Sequence, residues 1–236
     1  MFDLLDTSPT ITPNVSPGLA RFLYWAAGDG LLRHYFRQIE VTGQDYVPLT
    51  GPVIIAPTHR SRWDGLLIPY VMGRPVTGRD LFFMVSHNEM LGLQGLIIRH
   101  FGGFPVNTSR PGVASVRTAV DLLRHGQALV LFPEGNIFRN QKLTEIRPGL
   151  ARIALQAAAV RPKPDVKILP VAIQYAPAIP QWHASVTIRI GQPLSVATYP
   201  WQNSKQAATA LTQDLTQALV DLESPEKALC STAPTV

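Results

Sequence analysis

Two short runs without a polar side chain constrain this chain most strongly: Val53-Ile54-Ile55-Ala56 after Pro52, and Ala128-Leu129-Val130-Leu131-Phe132. Each has the length and composition of a strand buried on both faces. Each also ends abruptly. The first gives way to Thr58-His59-Arg60-Ser61-Arg62-Trp63-Asp64 and the second to Pro133-Glu134-Gly135. Apolar strands that end in polar residues and alternate with helical stretches describe an α/β sheet with its site at the strand ends.

The same pattern places strands near residues 52–56, 82–85, 103–106, 128–132, 166–173 and 185–191, with helices between most of them. Val113, Val116, Val120 and Leu123, and again Leu211, Leu215, Leu219 and Leu222, recur at the helical period, so each stretch has one apolar face to lay on a sheet. The expected fold is a single α/β domain: a mixed, mostly parallel sheet flanked by helices, with an N-terminal amphipathic helical segment. Residues 1–45 form that segment, 46–224 the catalytic domain, and 225–236, rich in turn formers, a flexible tail. The chain of 236 residues is the size of one such domain and shows no internal repeat. Its single cysteine, Cys230, lies in the polar tail and can form no internal disulfide.

His59 and Asp64 are the candidate catalytic pair. A histidine titrates near neutral pH, and a carboxylate bonded to one ring nitrogen leaves the other free to take a proton from a hydroxyl. On a regular helix, residues five apart point about 140° away from each other. The pair therefore needs His59 on the loop leaving the strand and Asp64 in the first turn of the next helix, where the helix dipole favours a carboxylate. Ser61 reads as a turn residue, because no Gly-x-Ser-x-Gly surrounds it.

Four blocks in order carry a family resemblance: His59 to Asp64, Gly102-Gly103-Phe104-Pro105-Val106, Phe132-Pro133-Glu134-Gly135, and Ile168-Leu169-Pro170-Val171. Over residues 52 to 173 the chain resembles the glycerolipid acyltransferases of the lysophosphatidic acid acyltransferase type. The resemblance implies a substrate-binding role for Gly103, Glu134 and Gly135, with Glu134 accepting from the acceptor hydroxyl or positioning phosphate-gripping arginines. It carries the phosphate contact to Arg110 and Arg139, both displaced by two residues from the family's pattern, and to Arg147, which opens a helix in Arg147-Pro148-Gly149 and can equally be a surface residue.

Charge points the same way. Residues 51–161 hold thirteen Lys and Arg against six Asp and Glu, and arginine, which outnumbers lysine sixteen to five, suits bidentate phosphate contacts. Nucleic acid is not expected as a partner: there is no zinc-ligand spacing, helix-turn-helix cue or ribonucleoprotein pattern. No metal site is expected, since the histidines form no short ligand cluster. No run of about twenty apolar residues and no signal peptide is apparent, so the expected location is peripheral, on the cytoplasmic face of a membrane. Leu19 to Phe36, which mixes aromatic residues with Arg21 and Arg33, either lies in an anionic headgroup layer or caps the core. Met90 to Phe101 is a second apolar stretch, expected to pack on the sheet rather than line an acyl-chain groove.

These readings combine into an O-acyltransferase with no cofactor. Acyl-CoA or acyl-ACP, the latter bringing acyl carrier protein as a partner, serves as co-substrate and a lysophospholipid as acceptor, most simply 1-acylglycerol-3-phosphate. A thioester is already activated, so a base and a pocket for the carbonyl oxygen suffice and no acyl-enzyme is required. The backbone N–H groups of residues 132–135 are candidates for that pocket. Two alternatives share the sequence features: an acyl-thioester hydrolase, and a non-catalytic protein that binds anionic membranes.

Overall fold

The computed structural model describes residues 30–106, 112–139, 143, 145–159, 165–200 and 203–224. They build one eight-stranded sheet: β1 (Gln38–Thr42), β2 (Val53–Pro57), β3 (Leu81–Ser86), β4 (Gly103–Val106), β5 (Ala128–Val130), β6 (Lys167–Ala176), β7 (Ser185–Ile190) and β8 (Leu194–Ser195). The order is β1-β7-β6-β2-β5-β3-β4, with β8 also on β6. Pairings are parallel except β6 with β7 and with β8. A mixed, mostly parallel sheet flanked by helices is thus the observed architecture.

Side-chain alternation along β2 makes two cores. Ile54 and Ala56 pack with Leu129 and Ile168 beneath three helices, α3 (Val113–Arg124), α4 (Gly149–Ala158) and α5 (Ser204–Glu223). Val53 and Ile55 pack with Leu81, Val130 and Leu169 against α1 (Asp64–Met72) and the turn carrying Leu32 and Phe36 on the opposite face. Because β2, β3, β5 and β6 are mutually parallel, their C-terminal ends share one edge, and α1 starts there.

Two sequence expectations change. Residues 38–42 are not part of an N-terminal helical segment: they form β1, an edge strand beside β7, and its alternating exposure reflects one face on the core and one in water. The stretch after Met90 does form a helix, α2 (Gly92–His100), but it is not packed away. Leu91 is 63% exposed, Leu96 53% and Ile97 46%, because α2 lies against β4, a four-residue edge strand too short to cover it. The part of the N-terminal segment before residue 30 and the tail after residue 224 lie outside the described residues.

Candidate active site

β2 hands over to the site through its last ladder bonds. The Thr58 N–H donates to the Val171 carbonyl (2.9 Å) and Thr58 Oγ1 accepts the Ile173 N–H (2.9 Å), so the chain leaves the sheet only at His59. The next residues curl around a buried carboxylate. Asp64 Oδ2 accepts the N–H groups of Arg60 (2.7 Å) and Ser61 (2.8 Å) together with His59 Nδ1 (2.9 Å). Ser61 completes the turn by accepting the Trp63 N–H on its hydroxyl (3.3 Å). This curl, in place of a helix, brings residues five apart face to face.

The imidazole is fixed in orientation as well as position. Its ring lies on Phe132, with centroids 3.9 Å apart and planes 20° from parallel. Nδ1 faces the carboxylate and holds the proton of the neutral ring, which leaves Nε2 as an acceptor. Among the described residues Nε2 makes no hydrogen bond, and the His59 side chain remains 19% exposed while Asp64 is fully buried. A base with an open acceptor nitrogen and a dry, charged orienter is the result.

Tyr175 closes the far side. Its hydroxyl donates to Asp64 Oδ1 at 2.5 Å, and burial together with the Asp64 charge pushes the phenol well above its ordinary range, so it stays a donor. A phenol on the inner face of an apolar strand needs a buried partner, which is the one sequence signal that could have flagged it.

A second network lies beneath the dyad. Glu134 Oε1 accepts the His59 N–H (3.0 Å) and Arg60 NH1 (2.7 Å), and Oε2 lies 3.0 Å from the same nitrogen. Arg60 also donates through NH2 to Glu223 at the end of α5 (2.6 Å), and Glu223 Oε2 accepts the Leu143 N–H (3.1 Å). The Arg60 side chain is fully buried. With the Phe138 N–H on the His59 carbonyl (2.8 Å), these bonds tie the loop after β5 to the loop after β2. Neither Arg60 nor Glu223 stands out in the sequence as part of a site.

The other candidate residues separate by position. Glu134 grips Arg60, and its carboxylate is buried. Gly135 takes φ of +69°, and a Cβ there would sit 2.9 Å from Nε of Arg147, so glycine both makes the turn and admits that side chain. Its own N–H closes on the Phe132 carbonyl (3.1 Å), which removes it from the oxyanion candidates. Arg147 is exposed beside this turn and Arg139 is exposed at the far end of the same loop. Arg110 lies outside the described residues. Gly103 is not at the site: it lies in β4, three strands from β2 and so about 14 Å away. Its missing side chain makes room for α2, since a Cβ would come within 2.3 Å of Ile98 Cγ2. Among the described residues no group of three metal-ligating side chains occurs.

The site is thus a base–carboxylate pair at the exit of a central strand, locked to a Pro-Glu-Gly turn. The family model described as Acyltransferase matches residues 38–174. The chain belongs to the acyltransferase family. It is 24% identical over 192 residues to the 1-acyl-sn-glycerol-3-phosphate acyltransferase of Bacillus subtilis, covering 78% of this chain and 88% of that one. It is 26% identical over 156 residues to the Streptococcus pneumoniae protein of that name (65% and 51%). With the human mitochondrial glycerol-3-phosphate acyltransferase 1 it shares 25% over 178 residues, 68% of this chain but only 21% of that protein. The fold is that of the crystal structure of the 1-acyl-sn-glycerophosphate acyltransferase PlsC from Thermotoga maritima, with a TM-score of 0.66 at 17% identity over 87% of this chain and 80% of that one. The chain is accordingly an acyltransferase.

Proposed function

We propose that this acyltransferase moves a fatty acyl group from a thioester of coenzyme A or acyl carrier protein to the free hydroxyl of a lysophospholipid, 1-acylglycerol-3-phosphate being the acceptor that fits best. The observation that carries the reading is the His59–Asp64 pair, bonded at 2.9 Å with Nε2 left open. The names of the Bacillus and Streptococcus relatives support the acceptor.

The chemistry follows from the geometry. Nε2 takes the proton of the acceptor hydroxyl as its oxygen attacks the thioester carbonyl, and Asp64 stabilises the imidazolium that forms. Collapse of the tetrahedral adduct breaks the carbon–sulfur bond, and the proton passes from Nε2 to the departing thiolate. The products are an ester and a free thiol. The exposed Arg147 beside Gly135 offers a guanidinium for the acceptor's phosphate. Among the described residues no helix is long and apolar enough to cross a membrane, and contact with a membrane surface from one side is part of this reading.

The test is thiol release from a labelled acyl thioester by purified protein, with and without a panel of lysolipids. Release that depends on lysophosphatidic acid, with the label recovered in phosphatidic acid, supports the reading. Equal release without any acceptor makes the protein a hydrolase instead.

A further inference from the structure

The catalytic edge carries an apolar and basic rim that the chemistry at His59 does not use. β6 runs parallel to β2, so the hairpin joining it to β7 rises on the same edge as His59. On that hairpin Ile179 is 56% exposed and Trp182 55%. β1 begins level with the first residue of β7, Gln38 opposite Ser185, which brings the residues just before β1 to this edge too, and there Leu31 is 47% exposed. On the other side of the site, two strands from β2, β3 ends on the same edge and leads to Leu91. Apolar tips therefore flank the open nitrogen of His59 on both sides.

Trp182 is held rather than loose. Its ring lies 4.8 Å from that of His34 and 5.6 Å from that of Tyr35, and Tyr35 in turn lies 4.2 Å from Trp63, the residue before Asp64. With Ile179 and Leu31 exposed on the same edge, this fixed, half-exposed indole is part of an apolar patch rather than a lone surface residue. An apolar body with a polar N–H suits the headgroup depth of a bilayer.

Charge decides which cover fits. Arg33 and Arg37, just before β1, and Arg139 and Arg147, on the loop after β5, are exposed. Of the acidic residues on the described loops of this edge, Asp64 and Glu134 are buried and bonded, Glu89 pairs with Arg62 at 2.8 Å, and Glu145 is exposed, so the arginines outnumber the open carboxylates. The rim presents net positive charge around apolar tips, the complement of an anionic lipid surface.

We infer that this rim docks the catalytic edge onto an anionic bilayer, Ile179 and Trp182 entering the headgroup layer on one side and Leu91 on the other. The acceptor hydroxyl then reaches His59 while its acyl tail stays in the leaflet. The inference rests on the acceptor being a membrane lipid, as proposed above.

The test compares the wild-type full chain with the double variant Ile179→Ser/Trp182→Ser and, on a different element, with Leu91→Ser. Two readouts are needed: cosedimentation with phosphatidylglycerol-containing or pure phosphatidylcholine vesicles, and turnover of a lysolipid held in those vesicles or of a short-chain analogue free in solution. Wild type should prefer the anionic vesicles, and raised salt should weaken that preference. The hairpin variant should lose about tenfold or more in affinity, with a parallel loss on the vesicle-held acceptor and unchanged turnover of the soluble one. Leu91→Ser should show the same split to a smaller degree, which also covers the case of a hairpin variant that does not fold. Vesicle binding unchanged in both variants overturns the inference. So does a wild type that self-associates through the rim, seen as dimers in light scattering that the hairpin variant abolishes. Vesicle binding without turnover of either acceptor would instead overturn the proposed function and leave the docking surface standing.

Discussion

Four donors converge on the two oxygens of Asp64: the N–H groups of Arg60 and Ser61, His59 Nδ1 and the Tyr175 hydroxyl. Every donor that shares the carboxylate's charge leaves less of it to stabilise the imidazolium. The Arg60 guanidinium is taken up by Glu134 and Glu223 and makes no bond to Asp64, so Tyr175 is the side chain whose removal changes the dyad most cleanly. Tyr175→Phe should therefore change kcat/KM by about two- to tenfold through the Asp64–His59 contact, with folding retained in thermal unfolding. An unchanged kcat/KM would mean that the phenol only packs. At this scale the sequence displayed half of the site. The dyad was legible because its partners are five residues apart, at the loop after β2 and the start of α1, whereas the Tyr175–Asp64 contact spans 111 residues and the Arg60–Glu223 contact 163, separations over which no local pattern operates.

Elements meet at the site through buried charge and through one glycine. Arg60 joins the loop after β2, the loop after β5 and the end of α5, with no exposure of its own. Removing one partner of a buried ion pair leaves the other uncompensated, so Arg60→Met should lower stability by about 3–5 kcal/mol in denaturant unfolding. Adding Glu134→Gln should recover part of that loss; no recovery would deny that the stranded carboxylate is the cause. Gly103 tests a different assignment. Gly103→Ala should destabilise by about 1–3 kcal/mol through overpacking against Ile98, with turnover per folded molecule unchanged. A specific loss of turnover would return Gly103 to the site. The strands of the central sheet were legible because their apolar runs are continuous, and the helices α3 and α5 because one face repeats. β1 escaped notice because Gln38–Thr42 is half solvent-facing and its partner, β7, lies far along the chain. The exposure of α2 escaped because periodicity states which residues share a face and not what covers it.

For the whole molecule, one edge of the sheet gathers the base, its orienter, the Pro-Glu-Gly turn and the rim, because parallel strands send all their exits the same way. The fold also sets a limit at high pH. Tyr175 stays protonated in the folded state, and Tyr199, bonded to Asp214 at 2.6 Å and raised by partial burial, does the same. In the unfolded chain both ionise near pH 10. Above that pH the unfolded state binds fewer protons than the folded one, so stability should fall as pH rises. Tyr175→Phe should flatten that alkaline decline in thermal unfolding, and an unchanged slope would count against the burial described here. The account as a whole turns on the open nitrogen of His59, and the most direct measurement is the acyl-transfer rate of His59→Ala beside wild type, with thermal unfolding and vesicle binding recorded on the same samples. The account predicts a loss in kcat of about 10²–10⁴ with folding and binding retained; transfer at the wild-type rate by the alanine variant would contradict it.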